Sequence, residues 1–123
     1  MQALRLLGSL KIVAGNIKPN NVLLKSHDSL SVEIMDIGMD CLYTQKKSGK
    51  IPNEFLVWKA PEKKPTAKSD LFSVACIAFW LLCKREPTVP LSASNLQSDI
   101  EFLTTSGVSA ECLDFMKKTL VYD

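Results

Sequence analysis

Residues Leu71 to Cys83 form a thirteen-residue run that is apolar apart from Ser73. As a helix this run is about 20 Å long, well short of a bilayer crossing. Leu71, Phe72, Val74, Cys76, Ile77, Phe79, Trp80 and Leu81 leave it no polar face, and a helix apolar all round has to be central, packed by other elements. Ser69 is a good N-cap and Asp70 in the first turn suits the helix dipole, which places the expected helix at about 70–82. The rest of the chain must supply the shell. With 123 residues, 46% of them hydrophobic and 23% charged, it can build one domain with a real core and not two.

Upstream, Leu4, Leu6, Leu7 and Leu10 recur at helical spacing, so an amphipathic helix is expected over Gln2 to Leu10. Pro19 forbids its continuation and pushes Lys18 towards an extended backbone. Val22-Leu23-Leu24 and Val32-Glu33-Ile34-Met35 are β-favouring runs around the polar segment Lys25 to Ser31, which reads as a small hairpin. From Met39 to Lys59 no period is sustained, so this stretch is expected as a long exposed loop. Downstream, Pro87 and Pro90 punctuate the chain, Asn95 to Leu103 reads as a helix, and Ser109 caps another with Leu113, Met116 and Leu120 on one stripe. The fold class is mainly α with a small β-hairpin.

Several kinds of chemistry are excluded early. Cys41, Cys76, Cys83 and Cys112 are separated by 35, 7 and 29 residues, with no CxxC pair and no zinc spacing. Cys76 and Cys83 read as small buried hydrophobes in a reducing, intracellular compartment, the cytoplasm or the nucleus. His27 is the only histidine and lies in a polar loop, so no Ser/His/Asp triad assembles around it. A net charge of +2 gives too little field to make nucleic acid or an anionic membrane the default partner. Any partner must be recognised by a site.

Three strings, in order, point to one. Asn16-Ile17-Lys18-Pro19-Asn20-Asn21 runs into Val22-Leu23-Leu24; Asp36-Ile37-Gly38 follows; Ala60-Pro61-Glu62 comes next, with Ser69-Asp70 beyond. Together they resemble the catalytic loop, the DFG motif, the APE motif and the central helix of the protein kinase family, serine/threonine type. The resemblance covers the C-terminal lobe only. It implies a partial, protein-kinase-like C-terminal lobe truncated at both ends, with a catalytic loop at 14–21, a DFG-like turn at 36–38, an activation segment at 39–62 and the central helix at about 70–82. On matching positions it implies that Lys18 steadies the transferred phosphoryl group, that Asn21 and Asp36 hold Mg²⁺, and that Leu23 lies under the adenine of ATP. It also implies that Asp70 bonds the catalytic-loop backbone and that Ile77 and Leu81 support a hydrophobic spine.

The departures from the family pattern matter as much. Ala14-Gly15-Asn16 stands where the family has His-Arg-Asp. Asn16 therefore replaces the carboxylate that accepts the substrate hydroxyl's proton, and losing a general base costs about 10²- to 10⁴-fold in rate. Gly15 removes the arginine that reads an activation-loop phosphate, and Ala14 removes an aromatic, leaving a void or a repacked site. Phe55 replaces a Thr that bridges the catalytic Asp and Lys. No Gly-x-Gly-x-x-Gly occurs among the five glycines, and Glu62 is expected as a buried carboxylate without its arginine. These residues imply a degenerate, pseudokinase-like chain that acts through protein partners and binds ATP and Mg²⁺ weakly if at all. The alternative is part of a longer ATP-dependent serine/threonine kinase with weak phosphotransfer activity.

Overall fold

The computed structural model describes residues 2–26, 31–38, 56–62 and 64–122. In chain order these form α1 (Gln2–Ser9), a 3₁₀ turn (Pro19–Asn21), β1 (Val22–Leu24), β2 (Val32–Ile34), α2 (Ala67–Cys83), α3 (Ala93–Thr105) and α4 (Ala110–Thr119). The mostly helical class with one antiparallel hairpin agrees with the sequence. The hairpin register sets Val22 opposite Ile34, Leu23 opposite Glu33 and Leu24 opposite Val32. Lys25 and Glu33 add a 2.8 Å ion pair across it. His27, Cys41, Phe55 and most of the expected activation segment lie outside the described residues.

The central helix starts earlier than its sequence indicates. Thr66, not Ser69, is the N-cap: its hydroxyl accepts from the Ser69 N–H at 3.3 Å, while the Ser69 hydroxyl accepts from the Thr66 N–H at 2.9 Å. This reciprocal capping box uses Ser69 three residues inside the helix. Asp70 lies in the first turn, as its sequence indicates, and is 3% exposed, so its carboxylate meets buried partners.

Nor is α2 buried all round. Phe72, Ala75, Cys76 and Phe79, at i, i+3, i+4 and i+7, are between 0% and 3% exposed and form the core stripe. Leu96, Ile100 and Leu103 of α3, Met116 of α4, Leu120 just beyond it, and Val57, Trp58 and Ala60 close over that stripe. On the last turn, however, Trp80, Leu81 and Leu82 remain 37%, 55% and 44% exposed. Among the described elements α1, α3 and α4 pack on α2, and they leave the second stripe open. Trp80 is partly covered by Trp58, whose ring meets it edge-on at 6.1 Å. Leu81 therefore does not serve as a buried spine residue, whereas Ile77 does pack against the core.

Helix ends are set by identifiable groups. α2 stops at Lys84, which adopts the left-handed conformation at φ 57° and donates its N–H to the Trp80 carbonyl. Ser92 caps α3 by accepting from the Asn95 N–H, and Ser109 caps α4 by accepting from the Cys112 N–H. Glu111 in the first turn and Lys117 and Lys118 in the last suit the α4 dipole. The α3 to α4 connection turns at Gly107, where φ is +72°.

Cys76 is fully buried, and burial pushes its thiol well above the ordinary range, with the Asp99 carboxylate adding to the effect. Cys83 is partly buried and shifts in the same direction, again chiefly through burial.

Candidate functional site

The site is built on a loop whose path is fixed from behind. Ile12 to Ile17 carries no regular structure, so its backbone groups need partners. Asp70 projects from α2 beneath it: Oδ2 accepts the Ala14 N–H and Oδ1 accepts the Gly15 N–H, each at 2.8 Å. Charge-assisted bonds of this kind are about twice as strong as neutral ones. Gly15 then takes φ 70°, a left-handed conformation that glycine adopts without strain.

The loop is closed on its other side by Asn21. Lys18 is extended (φ −156°, ψ 162°), as the following Pro19 requires, and the 3₁₀ turn brings Asn21 back over the loop. The Asn21 Nδ2 donates to the Asn16 carbonyl at 2.9 Å, and its backbone N–H donates to the Lys18 carbonyl at 2.9 Å. Its own carbonyl receives the Met35 N–H at 2.8 Å, which ties the end of β2 to the same residue. One residue thus organises three segments.

The turn after β2 is attached directly to the loop. Gly38 donates its N–H to the Ala14 carbonyl at 2.8 Å, while Asp36 and Gly38 both take positive φ, 55° and 75°. Ala14 consequently bonds Asp70 through its N–H and Gly38 through its C=O, and it is 1% exposed. The small side chain is buried in a closed environment.

Asn16 and Asn21 are joined by a hydrogen bond, and Lys18 lies between them at the start of the turn. Asp36 is exposed on the turn held by Gly38. Leu23 lies on β1, 44% exposed and opposite Glu33. Among the described residues the Asn16 Nδ2 is buried without a hydrogen-bond partner. A buried orphan donor is costly, and natural proteins carry few.

Asn21 and Asp36 offer oxygen donors of the kind a hard divalent cation takes. With Nδ2 bound to the Asn16 carbonyl, the Asn21 amide has Oδ1 left as its acceptor. Mg²⁺ is commonly held by one or two carboxylates together with phosphate oxygens rather than by an all-protein cage. By their chemistry these two oxygen donors suit Mg²⁺ carried in with a phosphate ligand. Among the described residues there is no group of three or more His, Cys, Asp or Glu side chains that would hold a metal unaided.

Glu62 departs from expectation. It is exposed and not buried, with the Ser69 hydroxyl 3.5 Å from its Oε1. Water solvates the carboxylate, so the penalty of an orphaned buried charge does not arise. Two features have no local sequence signature: the Gly38 to Ala14 tie, which joins residues 24 apart through backbone atoms, and the orphaned Asn16 amide. Among the described residues no helix is long and apolar enough to cross a membrane.

The protein kinase domain family model matches residues 1–123. Dual specificity tyrosine-phosphorylation-regulated kinase 3 of Homo sapiens is 34% identical over 86 residues, covering 67% of this chain and 14% of that protein. Myosin light chain kinase A of Dictyostelium discoideum is 31% identical over 135 residues, covering 100% of this chain and 46% of that protein. The probable serine/threonine-protein kinase ireA of Dictyostelium discoideum is 31% identical over 88 residues, covering 66% of this chain and 9% of that protein. This chain spans less than half the length of each of these relatives.

Proposed function

Because the chain belongs to the protein kinase family, we propose that it is a C-terminal-lobe-like, pseudokinase-type member whose catalytic-like loop keeps its shape and has lost its base. The observation that carries this reading is Asn16. The loop around it is held by Asp70 and Asn21, yet the side chain at the centre is a neutral amide with a buried, unpartnered Nδ2. An amide does not accept a substrate hydroxyl's proton at neutral pH, so general-base help is missing where the family resemblance places it.

The remaining residues have roles in binding. Asn21 and Asp36 are the ligands for Mg²⁺, and the Lys18 ammonium supplies positive charge for a phosphate on the same loop. When bound, the cation would neutralise charge on nucleotide phosphates. Leu23, exposed on β1, offers an apolar contact for an adenine ring. In this reading the retained scaffold with a disabled base acts through protein partners in an intracellular compartment.

The test is phosphate transfer from radiolabelled ATP with Mg²⁺ to a general protein substrate. Transfer no greater than that of Asp36→Ala is expected; transfer that Asp36→Ala abolishes would overturn the reading. A thermal-shift titration with ATP and Mg²⁺ reports nucleotide binding separately, since a ligand of the folded state raises the Tm.

A second reading is favoured by one observation, the small share of each kinase relative that this chain spans. In it, the chain is part of a longer serine/threonine kinase whose additional segments cover the nucleotide and sustain weak transfer. A full-length transcript without an upstream glycine-rich loop and lysine would sink that reading.

A further inference from the structure

Outside the loop, a buried carboxylate on α3 gathers several bonds from the connection after α2. Asp99 is 1% exposed. It accepts from Arg85 Nη2 at 2.8 Å and from the Thr88 hydroxyl at 2.9 Å on Oδ1, and from the Thr88 N–H at 2.7 Å on Oδ2. Arg85 is stacked between two rings, its guanidinium carbon 4.9 Å from the Phe79 centroid and 4.8 Å from that of Phe102. The latch therefore fastens the connection after α2 onto α3. Its outer member is Thr88, an exposed residue whose Oγ1 also lies 3.5 Å from Arg85 Nη1.

We propose that Thr88 is a phosphorylation site, and that its modification by a separate serine/threonine kinase releases α3 from this latch. In the modifying step the Thr88 Oγ1 attacks the γ-phosphorus of ATP. An O–P bond forms, the β–γ phosphoanhydride bond breaks, ADP leaves, and the hydroxyl proton passes to the modifying enzyme's base. The esterified oxygen has no proton left to donate to Asp99. A phosphate of about −1.5 to −2 charge then stands beside a buried carboxylate, while the guanidinium next to both prefers the phosphate in bidentate geometry. Asp99 keeps the Thr88 N–H and loses Arg85.

The segment suits such an enzyme. Lys84 and Arg85 lie four and three residues before Thr88, a basic determinant for a kinase with an acidic substrate groove. Residues 84–92 carry no helix or strand, so they can open locally into an extended substrate. Arg85 is engaged in the closed form, so the rate of modification follows the rate of opening, and the phosphate keeps the segment open.

The experiment treats the full chain with ATP, Mg²⁺ and an arginine-directed serine/threonine kinase, maps phosphate by tandem mass spectrometry, and follows amide exchange across α3. Phosphate is expected on Thr88 and absent from that position in Thr88→Val. Modification is expected to be faster in Asp99→Asn, and exchange in α3 of the modified chain about tenfold faster than in Thr88→Val treated identically. If Asp99→Asn does not fold, sub-denaturing urea on the unsubstituted chain replaces it, and the rate must rise with urea. No phosphate on Thr88 under opening conditions would overturn the proposal, as would phosphorylated Thr88 with unchanged exchange in α3.

Discussion

The two carboxylate oxygens of Asp70 are divided between consecutive backbone amides, Oδ2 taking the Ala14 N–H and Oδ1 the Gly15 N–H, both at 2.8 Å. The donors and the acceptor are 55 and 56 residues apart in sequence, so this one side chain fastens the loop to the helix core. Asp70→Ala is expected to destabilise the fold by about 2–4 kcal/mol, since two amides lose a charged acceptor in a largely buried place. Asp70→Asn keeps one acceptor and should fall between. Chemical denaturation of the three proteins checks the order, and equal midpoints would refute it.

The opposite result is expected at Asn16. Its Nδ2 is buried and has no partner among the described residues, and the bond it does support, to Asn21, uses its backbone carbonyl. Asn16→Ala removes the orphan and keeps that bond, so stability should stay level or rise by about 1 kcal/mol. A clear drop in Tm would show that the amide has a partner in solution.

Lys84 closes α2 at φ 57° with a side chain that glycine would not carry. The left-handed region costs a non-glycine residue about 1–2 kcal/mol, partly offset by glycine's greater freedom in the unfolded chain. Lys84→Gly is therefore expected to stabilise by about 1 kcal/mol, read as a higher denaturation midpoint with an unchanged slope.

Thiol chemistry should separate Cys76 from Cys83 and Cys112. Burial raises the folded-state Cys76 thiol, so above about pH 8.5 the unfolded chain loses a proton that the folded chain keeps. The folded state then binds more protons, and stability contributed by this thiol falls as pH rises through the alkaline range. Cys83 shifts in the same direction. Labelling by iodoacetamide at mildly alkaline pH should reach Cys83 and Cys112 first and Cys76 only on unfolding. Early labelling of Cys76 would contradict its burial.

What the sequence makes legible here is local. The hairpin reads from two β-favouring runs around a polar turn, and α4 reads from Ser109 and the stripe that includes Met116, because each signal lies within one element. The start of α2 misleads for a physical reason: Thr66 and Ser69 are both capping residues, and the capping box uses both. Composition shows that Trp80, Leu81 and Leu82 are apolar and not that the described neighbours leave that stripe open. The destination of Asp70, the Ala14 and Gly15 amides, is readable through the family resemblance. The Arg85, Thr88 and Asp99 latch has no such signal, since its members are polar residues in ordinary surroundings until α3 folds back.

The ties on the catalytic-like loop reach main-chain atoms: the N–H groups of Ala14 and Gly15, and the carbonyls of Ala14, Asn16 and Lys18. Such a loop is a mould whose outline is indifferent to much of what fills it. The side chain at 16 can be exchanged while these main-chain ties stay, so the outline of the loop does not depend on the chemistry of that side chain. The same separation makes the loop a frame in which a carboxylate can be placed at position 16 while its main-chain ties are kept.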